Sequence, residues 1–218
     1  MRRFALCCLL GLSLAVPAGI GARAAQLAIP QRTHFDEAER ATLDRISTML
    51  NAIHSLKAGF VQIGPNGEIE QGDFYLQKPG RMRFEYRPPD PVLIVANDGK
   101  VVVKNARLNT LDSYSVSDTP LGLLLGDNVD LKTNLAITGV GHESGAILLH
   151  ARSSGNRAQG DITLVFAEAN LELRQWSVRD NQGLTTTVAL RQVQTNVPLA
   201  ETLFAFPQKD TAVKKTSK

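Results

Sequence analysis

The sequence predicts an α+β fold, a large curved antiparallel β-sheet (an incomplete barrel) covered by an N-terminal helix and short lid helices. Three observations carry this. Arg81-Met82-Arg83-Phe84-Glu85-Tyr86 alternates charged and apolar residues without a break. A strand points successive side chains to opposite faces, so Met82, Phe84 and Tyr86 share one face and Arg81, Arg83 and Glu85 the other. Between Asp36 and Leu56, Leu43, Ile46, Leu50 and Ile53 recur at three- and four-residue steps, the stripe of an amphipathic helix. After that single helix, short strand-like runs separated by polar turns continue as far as Val193.

The elements follow in order. Arg2-Arg3, the apolar run Phe4–Ile20 and Ala22-Arg23-Ala24 read as a cleavable secretory signal peptide over 1–24. Pro17 and Gly19 near the end of the run leave it short for a membrane anchor. Both cysteines, Cys7 and Cys8, sit early in that segment, so the mature chain is expected to lack thiols and a lipid-attachment site, and to be soluble in the periplasm. Its domain is expected over 25–207, with 208–218 a disordered basic tail carrying Lys209, Lys214, Lys215 and Lys218. The 24 basic against 21 acidic residues become balanced once Arg2, Arg3 and Arg23 depart, and no basic–aromatic stripe is present, which gives little support to nucleic-acid binding.

Asp36 with Glu39 forms a capping-box signal for the helix. Lys57–Ile63 starts the sheet, and Gly64-Pro65-Asn66-Gly67 turns it toward Gly72-Asp73-Phe74-Tyr75-Leu76-Gln77-Lys78. Pro79-Gly80 leads into the alternating strand, and Asn97-Asp98-Gly99 joins Val92–Ala96 to Val101–Val103 as a hairpin. Leu108–Val116 is a further strand. In Ser117–Gly126, Thr119 suits a cap, Pro120 the first helical position and Gly126 the stop. So short a helix needs packing to exist, and Leu121, Leu124 and Leu125 share the face that would supply it as a lid over the sheet. Strands follow at Leu135–Val140, Ala146–Ala151, Asp161–Phe166, Leu171–Arg179 and Leu184–Val193, and Glu201–Pro207 closes the ordered domain.

Catalytic patterns are missing from this sequence. His34, His54, His142 and His150 have no metal-ligand spacing, there is no G-x-S-x-G or phosphate-cradling loop, and Glu68 and Glu70 flank a turn as solvated carboxylates. The expectation is therefore no enzyme, no cofactor and no metal. What remains is apolar surface: Phe60, Phe74, Leu76, Met82, Phe84, Tyr86 and Leu93, with the lid leucines Leu121, Leu124 and Leu125, are the candidate lining of a binding site. Without further information the same residues read as an ordinary core between helix and sheet, Trp176 as a packing residue, and Arg81, Arg83 and Glu85 as solvated exterior or a docking face.

A polar strand ending in Gly72-Asp-Phe-Tyr-Leu-Gln-Lys-Pro79, the Met82-x-Phe-x-Tyr86 strand and the Asp98-Gly-Lys100 turn together resemble the periplasmic outer-membrane lipoprotein carrier family, LolA, from about Asp36 to Pro207. The resemblance implies a cavity between a half-barrel and its lid that takes lipoprotein acyl chains. It implies as partners the lipoprotein cargo, an inner-membrane release complex and an outer-membrane acceptor, with the carrier a monomer. It also implies that the residue before the turn proline, Lys78 here where relatives often have arginine, latches the lid through its backbone; lysine offers one ammonium in place of a planar fork. The alternatives are a lipid-binding sensor or regulatory module of the same fold, and a lipid-processing enzyme.

Overall fold

The computed structural model describes residues 34–89, 91–116, 122–134, 136–154 and 159–208. The predicted signal peptide, the tail beyond Gln208, the capping residues Thr119 and Pro120 and the lid residue Leu121 lie outside them. Helix α1 (Glu37–Ala52) begins where the sequence places it. The Asp36 carboxylate accepts from the Glu39 amide at 2.8 Å and the Glu39 carboxylate accepts from the Asp36 amide at 3.0 Å, a complete capping box. Leu43, Ile46 and Leu50 are buried along one side. Thr42 and Ser47 share that side and return their hydroxyls to the carbonyls of Ala38 and Leu43, which satisfies both donors inside the core. The helix ends earlier than the apolar stripe suggests, because Ser55 and Leu56 already belong to the first strand.

Eleven strands follow: β1 (Ser55–Ile63), β2 (Ile69–Gln77), β3 (Arg81–Tyr86), β4 (Val92–Asn97), β5 (Lys100–Asn105), β6 (Thr110–Ser115), β7 (Ile137–Glu143), β8 (Ala146–Ser154), β9 (Gln159–Ala167), β10 (Leu173–Asp180) and β11 (Thr185–Thr195), with helix α2 (Gly122–Leu125) between β6 and β7. They form one antiparallel sheet in the order β6-β5-β4-β3-β2-β1-β11-β10-β9-β8-β7. Every neighbour pair is a sequential hairpin except β1 with β11, which joins the first strand to the last. The sheet is not closed, so β6 and β7, consecutive in the chain, stand at its opposite edges. The chain must therefore cross from one edge to the other between β6 and β7, and residues 122–134 are the described part of that crossover. Leu124, Leu125, Val129 and Leu131 on it are buried in the same core cluster as α1 and the sheet.

That core fills the concave side. Strand residues of one parity point into it, as the alternating burial along β1, β2 and β3 shows. Each buried Leu, Ile or Phe contributes about 1.5–3 kcal/mol relative to exposure, so the concave face dominates the stability.

The convex face of β3 and β4 corrects one expectation. Arg81 and Arg83 are not simply solvated, because the 3-10 turn Glu201–Phe204 lies across them. Arg83 Nη1 donates to the Leu203 carbonyl at 3.0 Å, Asn97 Nδ2 donates to the Phe204 carbonyl at 3.3 Å, and the Arg81 guanidinium sits 5.7 Å from the Phe204 ring centroid. Phe204 is buried with Val95 and Val102. The C-terminal segment is a second, smaller packing layer on the outside of the sheet.

Candidate functional site

The site is the apolar interior enclosed by the concave sheet, α1 and the segment 122–134. The register sets its floor. Phe74 pairs with Phe84, Leu76 with Met82, and Gly72 stands between Phe60 and Tyr86 on its two neighbouring strands. A Cβ at Gly72 would run into the Glu85 carbonyl and come within 2.6 Å of the Phe60 ring. Only glycine lets Phe60 lie over this strand, and Phe60 in turn meets Phe84 and Tyr86 edge-on at 5.2 and 5.0 Å. Phe74 and Phe84 are tilted at 4.5 Å. From the other arm of the sheet, Trp176 on β10 reaches Phe74 at 5.9 Å and Phe84 at 6.1 Å. The sheet has curled far enough for side chains of β10 to meet those of β2.

The structure thus brings Phe60, Phe74, Leu76, Met82, Phe84 and Tyr86 together on one face, and seats Leu124 and Leu125 in the same cluster. Leu93 is not with them. It pairs with Glu85, and Ile94 pairs with Phe84, so Ile94 and Ala96 line the interior and Leu93 faces outward. The uninterrupted apolar run Val92–Ala96 has no alternation to reveal this, and only the pairing with β3 fixes it. The buried lining is tightly packed: Phe60, Phe74, Met82 and Phe84 are each 1–4% exposed.

One end of this interior is polar. Tyr86 Oη donates to Gln62 Oε1 at 2.9 Å, and Gln62 Nε2 donates to Glu70 Oε2 at 2.8 Å, with Gln62 buried. Glu70 is therefore not a freely solvated turn residue as the sequence suggests. Its parity in β2 aims it to the concave side, where an unpaired amide at Gln62 would otherwise cost about 1–3 kcal/mol.

The roof is tied to α1 and to the β2–β3 turn. Asn51 matches both backbone groups of Val129, accepting from its N–H at 2.8 Å and donating to its carbonyl at 2.9 Å. The Leu131 amide donates to Ser47 Oγ at 3.1 Å, and Lys132 pairs with Asp44 at 2.6 Å. The Gly80 amide donates to the Leu125 carbonyl at 3.0 Å, at the end of α2. Lys78 does something else than the family resemblance implies. Its ammonium donates to the Leu50 carbonyl at 2.8 Å, in the last turn of α1, and the contact from this turn to the lid is made by the Gly80 backbone. Burial pushes the Lys78 ammonium below its usual range, and Asp127 just after α2 pulls it partly back. Sequence reasoning missed Ser47 and Asn51. Their signal is two polar residues four apart on the helix, close to its apolar stripe.

Among the described residues no three metal-binding side chains cluster, and no helix is long and apolar enough to cross a membrane. The arrangement offers burial and dispersion on the inside of a curved sheet, under a roof whose described residues share no strand pairing with it. Fold and site define a half-barrel protein with an apolar concave face. The model of the family described as outer membrane lipoprotein carrier protein LolA matches residues 51–207, and the chain belongs to that family, one of carriers and not of enzymes. Relatives named outer-membrane lipoprotein carrier protein include one from Methylococcus capsulatus, 27% identical over 179 residues (78% of this chain, 85% of the other). Another, from Dechloromonas aromatica, is 26% identical with the same coverage. A solved structure of an uncharacterized conserved protein from Thermus thermophilus is similar over 79% of this chain and 96% of the other, at 17% identity and a TM-score of 0.48.

Proposed function

We propose that this protein is a soluble periplasmic carrier that takes the acyl chains of lipoproteins into the interior between the sheet, α1 and α2, and shuttles them from an inner-membrane release complex to an outer-membrane acceptor. The observation that supports it best is topological. Because β6 and β7 stand at opposite edges, the crossover can lift from the concave face without breaking a rung of the sheet. The signal-like start of the sequence fits export, and the family supplies the class of cargo.

Burying one methylene contributes about 0.8 kcal/mol, so a chain of ~14 carbons approaches ~11 kcal/mol as an upper bound. Admitting it requires Phe60, Met82, Phe84, Leu124 and Leu125 to give up part of their shared packing. That cost offsets part of the gain and leaves an affinity from which cargo can be released. No cofactor or covalent step enters.

Trp176, the single tryptophan, reports directly on this interior. Titrating the mature protein with a diacylated lipopeptide should change Trp176 emission saturably, while the same peptide without acyl chains should leave it unchanged. Added to spheroplasts, the protein should release lipoprotein into the medium. Absence of saturable binding removes the carrier reading; binding without release removes the shuttle and leaves a lipid-binding sensor.

A further inference from the structure

The two faces of the sheet differ in the sign of their charge. Strand positions that share the parity of the core carry Glu70, Asp112 and Asp180 and, among the described residues, no lysine or arginine. Arg83, Lys104, Arg152 and Arg191 all stand at convex positions. His142, on the concave side of edge strand β7, lies 3.7 Å from the Glu168 carboxylate. Lys78 belongs to the turn below the sheet, where its ammonium is bound to the Leu50 carbonyl and faced by Asp127.

Of the three concave carboxylates, Glu70 is the one tied to the aromatic floor. Tyr86, packed on Phe60, donates to Gln62, and Gln62 donates to Glu70, so this chain of hydrogen bonds runs in one direction and ends on a carboxylate. Gln62 is buried and held from both sides, whereas Glu70 and Tyr86 are partly exposed, so solvent reaches this end of the interior. The roof is tied at the other end, where Gly80 holds Leu125 and Asn51 holds Val129. From Glu70 to the end of β2 the strand rises about 23 Å, long enough for an extended fatty-acyl chain.

We infer that Glu70 is a specificity determinant: the interior takes acyl chains carried on a peptide head and turns away the same chains carried on a phosphate. The inference rests on the carrier reading for the acyl cargo and adds which lipids that cargo excludes. A chain lying along the floor with its tip under the roof brings its head to Tyr86, Gln62 and Glu70. Amide N–H groups of an acylated peptide meet a carboxylate acceptor there. A phosphodiester has no donor of its own and meets a like charge, with no guanidinium or ammonium on the described concave strands to pair with it. Like charges set against each other act chiefly against the wrong ligand. Tyr86 and Gln62 position the carboxylate so that it does not turn away into solvent. A carrier working beside phospholipid membranes needs such a filter, because both kinds of lipid present similar chains to the apolar floor.

The test compares two probes with the same two acyl chains, a diacylated lipopeptide and a phosphatidylglycerol, each titrated against Trp176 emission. Wild type should prefer the lipopeptide by about tenfold at low salt, and the preference should shrink as salt screens the charges. Glu70→Gln, which keeps the size and an acceptor for Gln62, should narrow the ratio to about twofold, chiefly by gaining affinity for the phospholipid. Glu85→Gln, the same change of charge on the convex face of β3, should leave the ratio as in wild type. If Glu70→Gln folds poorly, the salt dependence of the wild-type ratio decides alone. A wild-type ratio near one, a ratio indifferent to salt, or equal ratios in Glu70→Gln and Glu85→Gln would overturn the inference and leave the carrier reading standing. Failure of both probes to bind saturably would remove the two together.

Discussion

Lys78 Nζ donates to the Leu50 carbonyl at 2.8 Å, joining the start of the β2–β3 turn to the last turn of α1. Two residues on, the Gly80 amide holds the Leu125 carbonyl. One turn therefore clamps the helix with a side chain and the lid with its backbone. Lys78 secures the roof indirectly, through the helix to which Asn51 binds Val129.

Replacing Lys78 with Met should lower stability by about 1 kcal/mol, the worth of one hydrogen bond to a helix end. The difference should depend on pH in a defined direction. The native ammonium is held below its ordinary value of 10.5, chiefly by burial. Between that lowered value and 10.5 the folded state binds fewer protons than the unfolded one, so the Lys78 contribution rises with pH across the window. Urea midpoints from about pH 7 to about pH 10.5 should show wild type gaining on Lys78→Met as the solution becomes alkaline. A gap that narrows instead would contradict the burial.

Asn51 acts toward Val129 as a neighbouring strand would, with one donor and one acceptor. Asn51→Leu removes both and leaves two backbone groups of the roof without partners, at about 1–3 kcal/mol. Hydrogen exchange at Val129 and Leu131 should accelerate at least tenfold while β1 and β2 amides keep their protection. Equal acceleration throughout would mean that the roof and the sheet open only together.

Much of this was legible in the sequence where one face of an element is buried and the other is not. Met82, Phe84 and Tyr86 alternate with charges, and Asp36 with Glu39 announces α1, because local chemistry decides both. Leu93 was misplaced since an apolar run carries no parity. Glu70 looked solvated because a carboxylate near a turn usually is, and its partner Gln62 comes from another strand. Lys78 could be located but its acceptor could not, and the C-terminal layer over Arg83 depends on a contact more than a hundred positions away.

That outer layer should be measurable. Phe204 is 1% exposed between the charged convex strands and solvent. Phe204→Ala should cost about 3–5 kcal/mol, as for other buried phenylalanines, and should expose Val95 and Val102. Ending the chain after Gln208 should leave the urea midpoint unchanged, whereas ending it after Ala200 should reproduce the loss. Equal midpoints for all three would show that the 3-10 turn adds nothing to the sheet.

Gly72 gives the sharpest test of how the aromatic floor is built. Its backbone needs no left-handed conformation, so an alanine there meets no local penalty; the obstacle is space. The new methyl would strike the Glu85 carbonyl, a backbone atom of a paired strand that cannot yield without opening the β2–β3 ladder, and would also press on the Phe60 ring at 2.6 Å. Displacing Phe60 disturbs its edge contacts with Phe84 and Tyr86 together, each worth about 0.5–1.5 kcal/mol. Gly72→Ala should therefore destabilise by about 3 kcal/mol or more, at or above the usual range of about 1–3 for overpacking. Gly72→Ala with Phe60→Leu should recover part of that loss, because the smaller side chain vacates the ring position. Gly67→Ala, at a turn with open space but φ +80°, should cost only about 1 kcal/mol. Urea unfolding of these variants beside wild type decides it: a Gly72→Ala midpoint no lower than that of Gly67→Ala would mean that Phe60 does not lie over β2.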